Sequence, residues 1–356
     1  MNRLSLVSPI GAAALLGAAL LLPSSLGLTV LCAAALIAAV LAAVHHAELL
    51  AHRMGEPYGT LVLALAVTVI EVALILSMML AGGADKATLT RDTIFSTLMI
   101  ICNGVVGLCL VVGGMRHKEQ VFRIEGASTS LATLMAMSSL TLVLPRFTTS
   151  TQGASYSPSQ LSFAAAMSLL LWLLFIFVQT VRHRDYFLPQ ASDAGHDDAH
   201  AAPPSNGQAW ASGALLLVAL VSVVGLAKVL SPRIESMLAA AGAPPAVLGI
   251  VIAMLVLLPE TVAAVRAARA NRLQTSLNLA YGSALASIGL TIPAVAVAAL
   301  VLDLPLLLGA EAKELVLLLL TFLVSALTLA SGRTHAMQGA VHLVIFAAFL
   351  FLALVP

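Results

Sequence analysis

Runs of roughly 20 mostly apolar residues recur along the chain, divided by short polar breaks, and none shows the alternation a strand would need. Eleven such runs fall at about 7–23, 26–50, 59–82, 93–114, 127–144, 161–181, 210–229, 244–266, 273–300, 305–330 and 336–355. Each is long enough for an α-helix to cross the hydrocarbon of a bilayer, where backbone polar groups must be satisfied within the segment. The longest polar stretch, Arg182 to Gln208, carries His183, Asp193, His196, Asp197, Asp198, His200 and Pro203-Pro204 and reads as a linker. The expected fold is all-α and polytopic, with about 11 transmembrane helices. The first run admits two readings. Arg3 ahead of an apolar stretch to Leu22 fits a cleavable signal peptide, and an uncleaved helix fits equally. Ten further spans make the uncleaved helix the more economical reading.

Composition agrees: 60% of residues are hydrophobic and 9% charged, a balance a soluble fold of this length could not carry. The lipid bilayer is thus one partner. A net charge of +1 without a long basic run gives nothing to neutralise a nucleic-acid backbone, so no nucleic-acid partner is expected. Cys32, Cys102 and Cys109 all lie in apolar runs without zinc-ligand spacing and read as small core residues. An N-terminus in the cytoplasm places eleven Lys and Arg residues on that side against five outside, with Lys228 uncounted at a helix end, which predicts an inner-membrane protein with N-in orientation.

The linker, 182–209, divides the remainder after an N-terminal helix (1–25) into two groups of five spans, 26–181 and 210–356. An odd number of spans per half forces the halves into opposite orientation, the inverted-repeat plan of many transporters. In each half the second helix carries one deep carboxylate. The third helices can be laid together, Thr93–Leu108 on Thr275–Leu290, with Gly107 on Gly289.

Those carboxylates, Glu71 and Glu260, are the main chemical candidates. Glu71 sits near the middle of an otherwise uncharged span, where a charge costs about 2.5–3.5 kcal/mol on insertion scales. Glu260 follows Pro259, and a proline inside a helix frees carbonyl oxygens that suit hard cations. The bland alternatives are a structural glutamate satisfied by its surroundings and a proline kink paired with Arg266. Two carboxylates brought together at a repeat interface would raise each other's proton affinity, so a cation or protons must neutralise them before the protein changes orientation. Oxygen donors near them in sequence are Thr68, Asn103, Asn278, Ser283 and Ser287, each of which also fits ordinary helix packing. His45, Glu48 and His52, spaced on one helix face, and Glu56 beyond them form a candidate cytoplasmic access point for protons or cations, or simply a polar membrane interface. The linker's His196-Asp-Asp-Ala-His200 invites a metal- or pH-sensing reading, and low-complexity loops look alike without one. Motifs for zinc proteolysis, serine hydrolysis and nucleotide binding are absent, so an enzyme or ATP-driven pump is not expected.

Gly113-Gly-Met-Arg-His-Lys-Glu-Gln-Val-Phe122 with Ala127-Ser-Thr-Ser resembles the cytoplasmic connection of calcium/proton exchangers in the calcium/cation antiporter superfamily. Gly55-Glu-Pro-Tyr-Gly-Thr-Leu, Asn271-Arg-Leu-Gln-Thr-Ser-Leu-Asn and Gly282-Ser-Ala-Leu-Ala-Ser-Ile-Gly-Leu-Thr-Ile-Pro293 extend the likeness, which is greatest to the bacterial ChaA-type sodium/potassium/calcium-proton antiporters. The resemblance implies one extra helix before two inverted five-helix repeats, and exchange of Ca2+, Na+ or K+ for protons with no resident cofactor. It places Glu71 and Glu260 at the family's metal-binding glutamates, Asn103 and Ser283 at polar positions across the site, and Glu48 at an acidic position. Val67-Thr68 and Val256-Leu257 stand where the wider family has Gly-Asn, and Ala286 where it has glutamine. Fewer oxygen donors shift the expectation from calcium toward sodium or potassium. A non-transporting sensor or scaffold and a passive cation channel are the rival functions.

Overall fold

The computed structural model describes residues 3–22, 25–55, 58–188 and 204–355. Among them are eleven helices: α1 (Arg3–Leu21), α2 (Leu26–Met54), α3 (Tyr58–Gly82), α4 (Leu89–His117), α5 (Ile124–Arg146), α6 (Pro158–Arg182), α7 (Asn206–Ala240), α8 (Ala246–Arg269), α9 (Leu273–Leu302), α10 (Ala312–Leu329) and α11 (Ala336–Leu354). Ten of these are long and apolar enough to cross a membrane, and α1 is shorter. Number and order match the apolar runs of the sequence, while two boundaries differ. The tenth run was expected from residue 305, yet 303–311 is not helical and α10 starts only after Glu311, whose capping box with Glu314 closes its first turn. This apolar segment satisfies its backbone elsewhere: Leu307, Gly309 and Ala310 donate to the carbonyls of Ala87, Ala154 and Leu142. The seventh helix, expected to end near 229, continues through Pro232 to Ala240. Asp193, His196, Asp197, Asp198 and His200 of the linker lie outside the described residues, as do Glu56 and Pro57.

The helices group into two compact units that interleave along the chain. The first, Met1–Gly83 with His200–Leu248, holds α1, α2, α3 and α7. Its centre is α2, whose buried face runs Cys32, Ala35, Leu36, Ala39, Ala43 and Ala47. Small side chains at helical spacing let neighbouring backbones approach, the main source of helix association in lipid. At the other end of α2, His46 bonds the Ser5 carbonyl through Nε2 at 2.8 Å and Arg53 donates to the Asn206 side chain, tying α1 and α7 to it. Gly225 of α7 leaves the space that the Leu16 side chain fills.

The second unit, Ala84–Ala199 with Gly249–Pro356, holds α4, α5, α6, α9, α10, α11 and most of α8. Its axis is α4, buried on nearly every side, which explains a run that is apolar all round. The backbone of α4 widens into a π turn at Ile100–Val105, and that of α9 at Ser287–Thr291. Gly107 of α4 and Gly339 of α11 cross at backbone distance; a Cβ on Gly339 would stand 2.6 Å from the Gly107 carbonyl. Gly289 of α9 is likewise covered by Cβ of Trp172 in α6. Gly107 of α4 thus packs against α11, and Gly289 of α9, the glycine laid on it in sequence, packs against α6.

A two-stranded ribbon, Glu119–Val121 antiparallel to Arg333–His335, joins the α4–α5 and α10–α11 connections. Gly113 makes room for the Gln120 amide and Gly114 for the Ala336 backbone. Gln120 donates to the Ala268 carbonyl and the Asn271 side chain, Gln274 accepts from the Arg123 backbone, and His117 Nε2 lies 3.0 Å from the Arg269 carbonyl. Two motifs far apart in sequence, 113–122 and 271–278, thus interlock to hold the end of α8 and the start of α9.

Candidate functional site

In the first unit, Glu71 lies in the middle turns of α3 at 2% exposure, with Thr68 one turn earlier on the same face and 5% exposed. A carboxylate withdrawn from water in an apolar helix keeps its charge only against a cation or hydrogen-bond donors, and otherwise takes up a proton. In the second unit, Glu260 is half-buried in α8 directly after Pro259, around which the helix continues unbroken. Proline leaves the carbonyl four residues before it without its helical donor. The Thr261 hydroxyl meanwhile donates to the Leu257 carbonyl at 2.7 Å.

The remaining candidates divide by environment. In α9, Ser283 is half-buried, and Ser287, one turn on, is buried and opens the π turn. Such turns leave backbone groups under-satisfied and recur at functional sites. Asn278 is committed elsewhere: its amide nitrogen donates to the Phe187 carbonyl at 2.6 Å and its oxygen accepts from Gln274. Asn103 is fully buried in the π turn of α4, donating to Thr321 of α10 at 2.9 Å. At the end of α2, His45 is half-buried while Glu48 and His52 are exposed, and no cluster of three metal-ligating side chains occurs among the described residues. Glu56 lies outside the described residues.

Sequence reasoning passed over His342. This α11 residue is fully buried, with Nδ1 3.1 Å from the Asn103 side-chain oxygen and Nε2 3.1 Å from the Thr328 hydroxyl. A histidine inside a span without another ionisable residue was the available signal. Also unremarked was a buried charge cluster where α4 and α10 begin. Arg91 pairs with Asp92 at 2.7 Å and approaches Glu311 at 3.6 Å and Glu314 at 3.9 Å, while Thr88 donates to Asp92.

The sequence model of the family described as sodium/calcium exchanger protein matches residues 24–181 and 211–355. The chain is 48% identical over 93% of its length to y4hA of Sinorhizobium fredii, classed provisionally as an ionic transporter, covering 90% of that protein. It is 33% identical over 97% of its length to the sodium-potassium/proton antiporter ChaA of Escherichia coli, covering 94% of it. Among solved structures it superposes on YfkE with a TM-score of 0.74 at 18% identity, over 99% of this chain and 100% of that one. A family model matched over most of the chain and a relative 33% identical over nearly all of it fix the assignment: the chain belongs to the sodium/calcium exchanger protein family, whose members are membrane transporters and not enzymes.

Proposed function

We propose that this protein extrudes Na+ or K+, and less selectively Ca2+, in exchange for protons across the bacterial inner membrane, with its N-terminus in the cytoplasm. The observation that carries the reading is a single carboxylate within the apolar second helix of each half, Glu71 buried and Glu260 half-buried. In one orientation the carboxylates take a cation; in the other they take protons. With neither, their charge is too costly to carry through the rearrangement, so the two fluxes are coupled. Thr68, Ser283 and Ser287 supply hydroxyl oxygens to the cation, and Asn103 an amide. Glu48 with His45 and His52 forms the cytoplasmic approach. Alternating exposure follows from the opposed halves, and the two stretches matched by the family model, one on each side of the linker, support those halves.

The monovalent preference rests on Val67-Thr68 and Val256-Leu257, which provide fewer amide oxygens before the glutamates than a hard divalent ion favours. ChaA, a sodium-potassium/proton antiporter, supports it. The counter-example is the Ca2+/H+ antiporter of Aphanothece halophytica, 25% identical over 76% of this chain.

Everted membrane vesicles with a pH-reporting dye test the proposal. After a proton gradient is imposed, Na+, K+ and Ca2+ are added separately. Na+ or K+ should dissipate the gradient at lower concentration than Ca2+, and Glu71→Gln or Glu260→Gln should abolish the response. No response to any cation, or glutamine variants equal to wild type, would refute it.

A further inference from the structure

We infer that His342 is a positioning residue for the exchange reaction: as a neutral imidazole protonated at Nδ1, it fixes the Asn103 amide and the π turn that carries it. The inference rests on the reading of Asn103 as a cation-site residue.

The direction of every hydrogen bond follows from the partners. The Asn103 nitrogen donates to the Thr321 hydroxyl at 2.9 Å, so its oxygen is the end that faces His342. An amide oxygen only accepts, so the imidazole Nδ1 must carry hydrogen. Taken as neutral, the ring then presents Nε2 as a bare acceptor, 3.1 Å from the Thr328 hydroxyl that donates to it. The Thr321 hydroxyl completes the series at the Met99 sulfur, 3.5 Å away. Thr328, His342, Asn103, Thr321 and Met99 form one directed chain across α10, α11 and α4, and none is more than 4% exposed.

Packing alone does not call for a histidine here. Its Cβ lies over Gly107, 2.9 Å from where a Cβ on that glycine would stand. The equivalent crossing in the other half, Gly289 of α9, is closed by Trp172. An apolar-bodied ring therefore suffices to seal such a crossing. What distinguishes the α4 crossing is the buried amide of Asn103, whose oxygen needs a donor and whose orientation needs fixing. An asparagine held at both ends presents one geometry to a cation, which lowers the cost of ordering it on binding.

The test uses the full-length protein in proteoliposomes, with cation KM and maximal rate measured for His342→Leu, His342→Gln, Asn103→Ala and the double variant His342→Leu/Asn103→Ala. Glutamine offers a donor and an acceptor at similar reach. The expected result is a KM about ten-fold higher in His342→Leu, restored to within about three-fold of wild type in His342→Gln, with no further rise when leucine is added to Asn103→Ala. The 15N spectrum of labelled protein should show His342 with a bare Nε2, assigned by its loss in His342→Gln, so that failure of the leucine variant to fold leaves the proposal decidable. Unchanged KM in a folded leucine variant, additive effects in the double variant, or hydrogen on Nε2 would overturn it. Loss of proton coupling in the wild-type protein would instead refute the antiport reading, and the two failures are thereby distinct.

Discussion

A methyl group on Gly107 would stand 2.9 Å from His342 Cβ and 3.1 Å from the Gly339 carbonyl, whereas one on Gly282 of α9 would meet open space. The first neighbours are backbone and the root of a side chain, which cannot swing away. Gly107→Ala should therefore destabilise the protein by about 1–3 kcal/mol. Gly282→Ala should leave stability unchanged or raise it by up to about 1 kcal/mol through helix propensity. Thermal denaturation in detergent separates them, and equal melting temperatures would contradict the crossing. At this scale the sequence revealed Glu71 and Glu260 because isolated carboxylates stand out in apolar runs. It concealed what Asn103 touches, since Thr321 and His342 lie more than 200 residues away. Asn278 shows the opposite limit. It reads as an oxygen donor in a membrane span, yet its amide bonds the Phe187 carbonyl, a contact that no local pattern encodes.

Among elements, the eleven helices were legible from apolar run length, but their ends were not. The start of α10 depends on the Glu311–Glu314 capping box and on carbonyls of Ala87, Leu142 and Ala154 that satisfy an extended apolar segment. The adjoining charge cluster holds the beginnings of α4 and α10, with Arg91 facing Asp92, Glu314 and the half-exposed Glu311. Removing the guanidinium leaves two buried carboxylates uncompensated, and breaking a buried pair in this way costs about 3–5 kcal/mol. Arg91→Leu should lower the melting temperature markedly, and Arg91→Leu/Asp92→Asn should recover part of the loss. If the single variant melts like wild type, the cluster does not hold these helices. The Gly113–Phe122 motif acquires a physical meaning at the same scale. Gly113 and Gly114 admit the Gln120 amide and the Ala336 backbone, and Gln120 then clasps the α8–α9 corner.

For the whole molecule, the fold class followed from chemistry that bilayers impose on any chain, and the expectation of inverted halves rested on parity and on one carboxylate in each. The grouping of α1, α2, α3 and α7 into one unit and the other helices into a second could not be read from chain order, because each unit draws on both sides of the linker. The function proposed for this architecture is coupled exchange, and uphill transport is its most direct test. Purified protein in proteoliposomes with an acidic interior, placed in dilute external Na+ or K+, should accumulate the cation above its external concentration while the interior alkalinises. Collapse of the proton gradient should stop the accumulation, and Glu71→Gln should show none. A cation that only equilibrates, with no change in internal pH, would identify a passive pathway and contradict proton-coupled exchange.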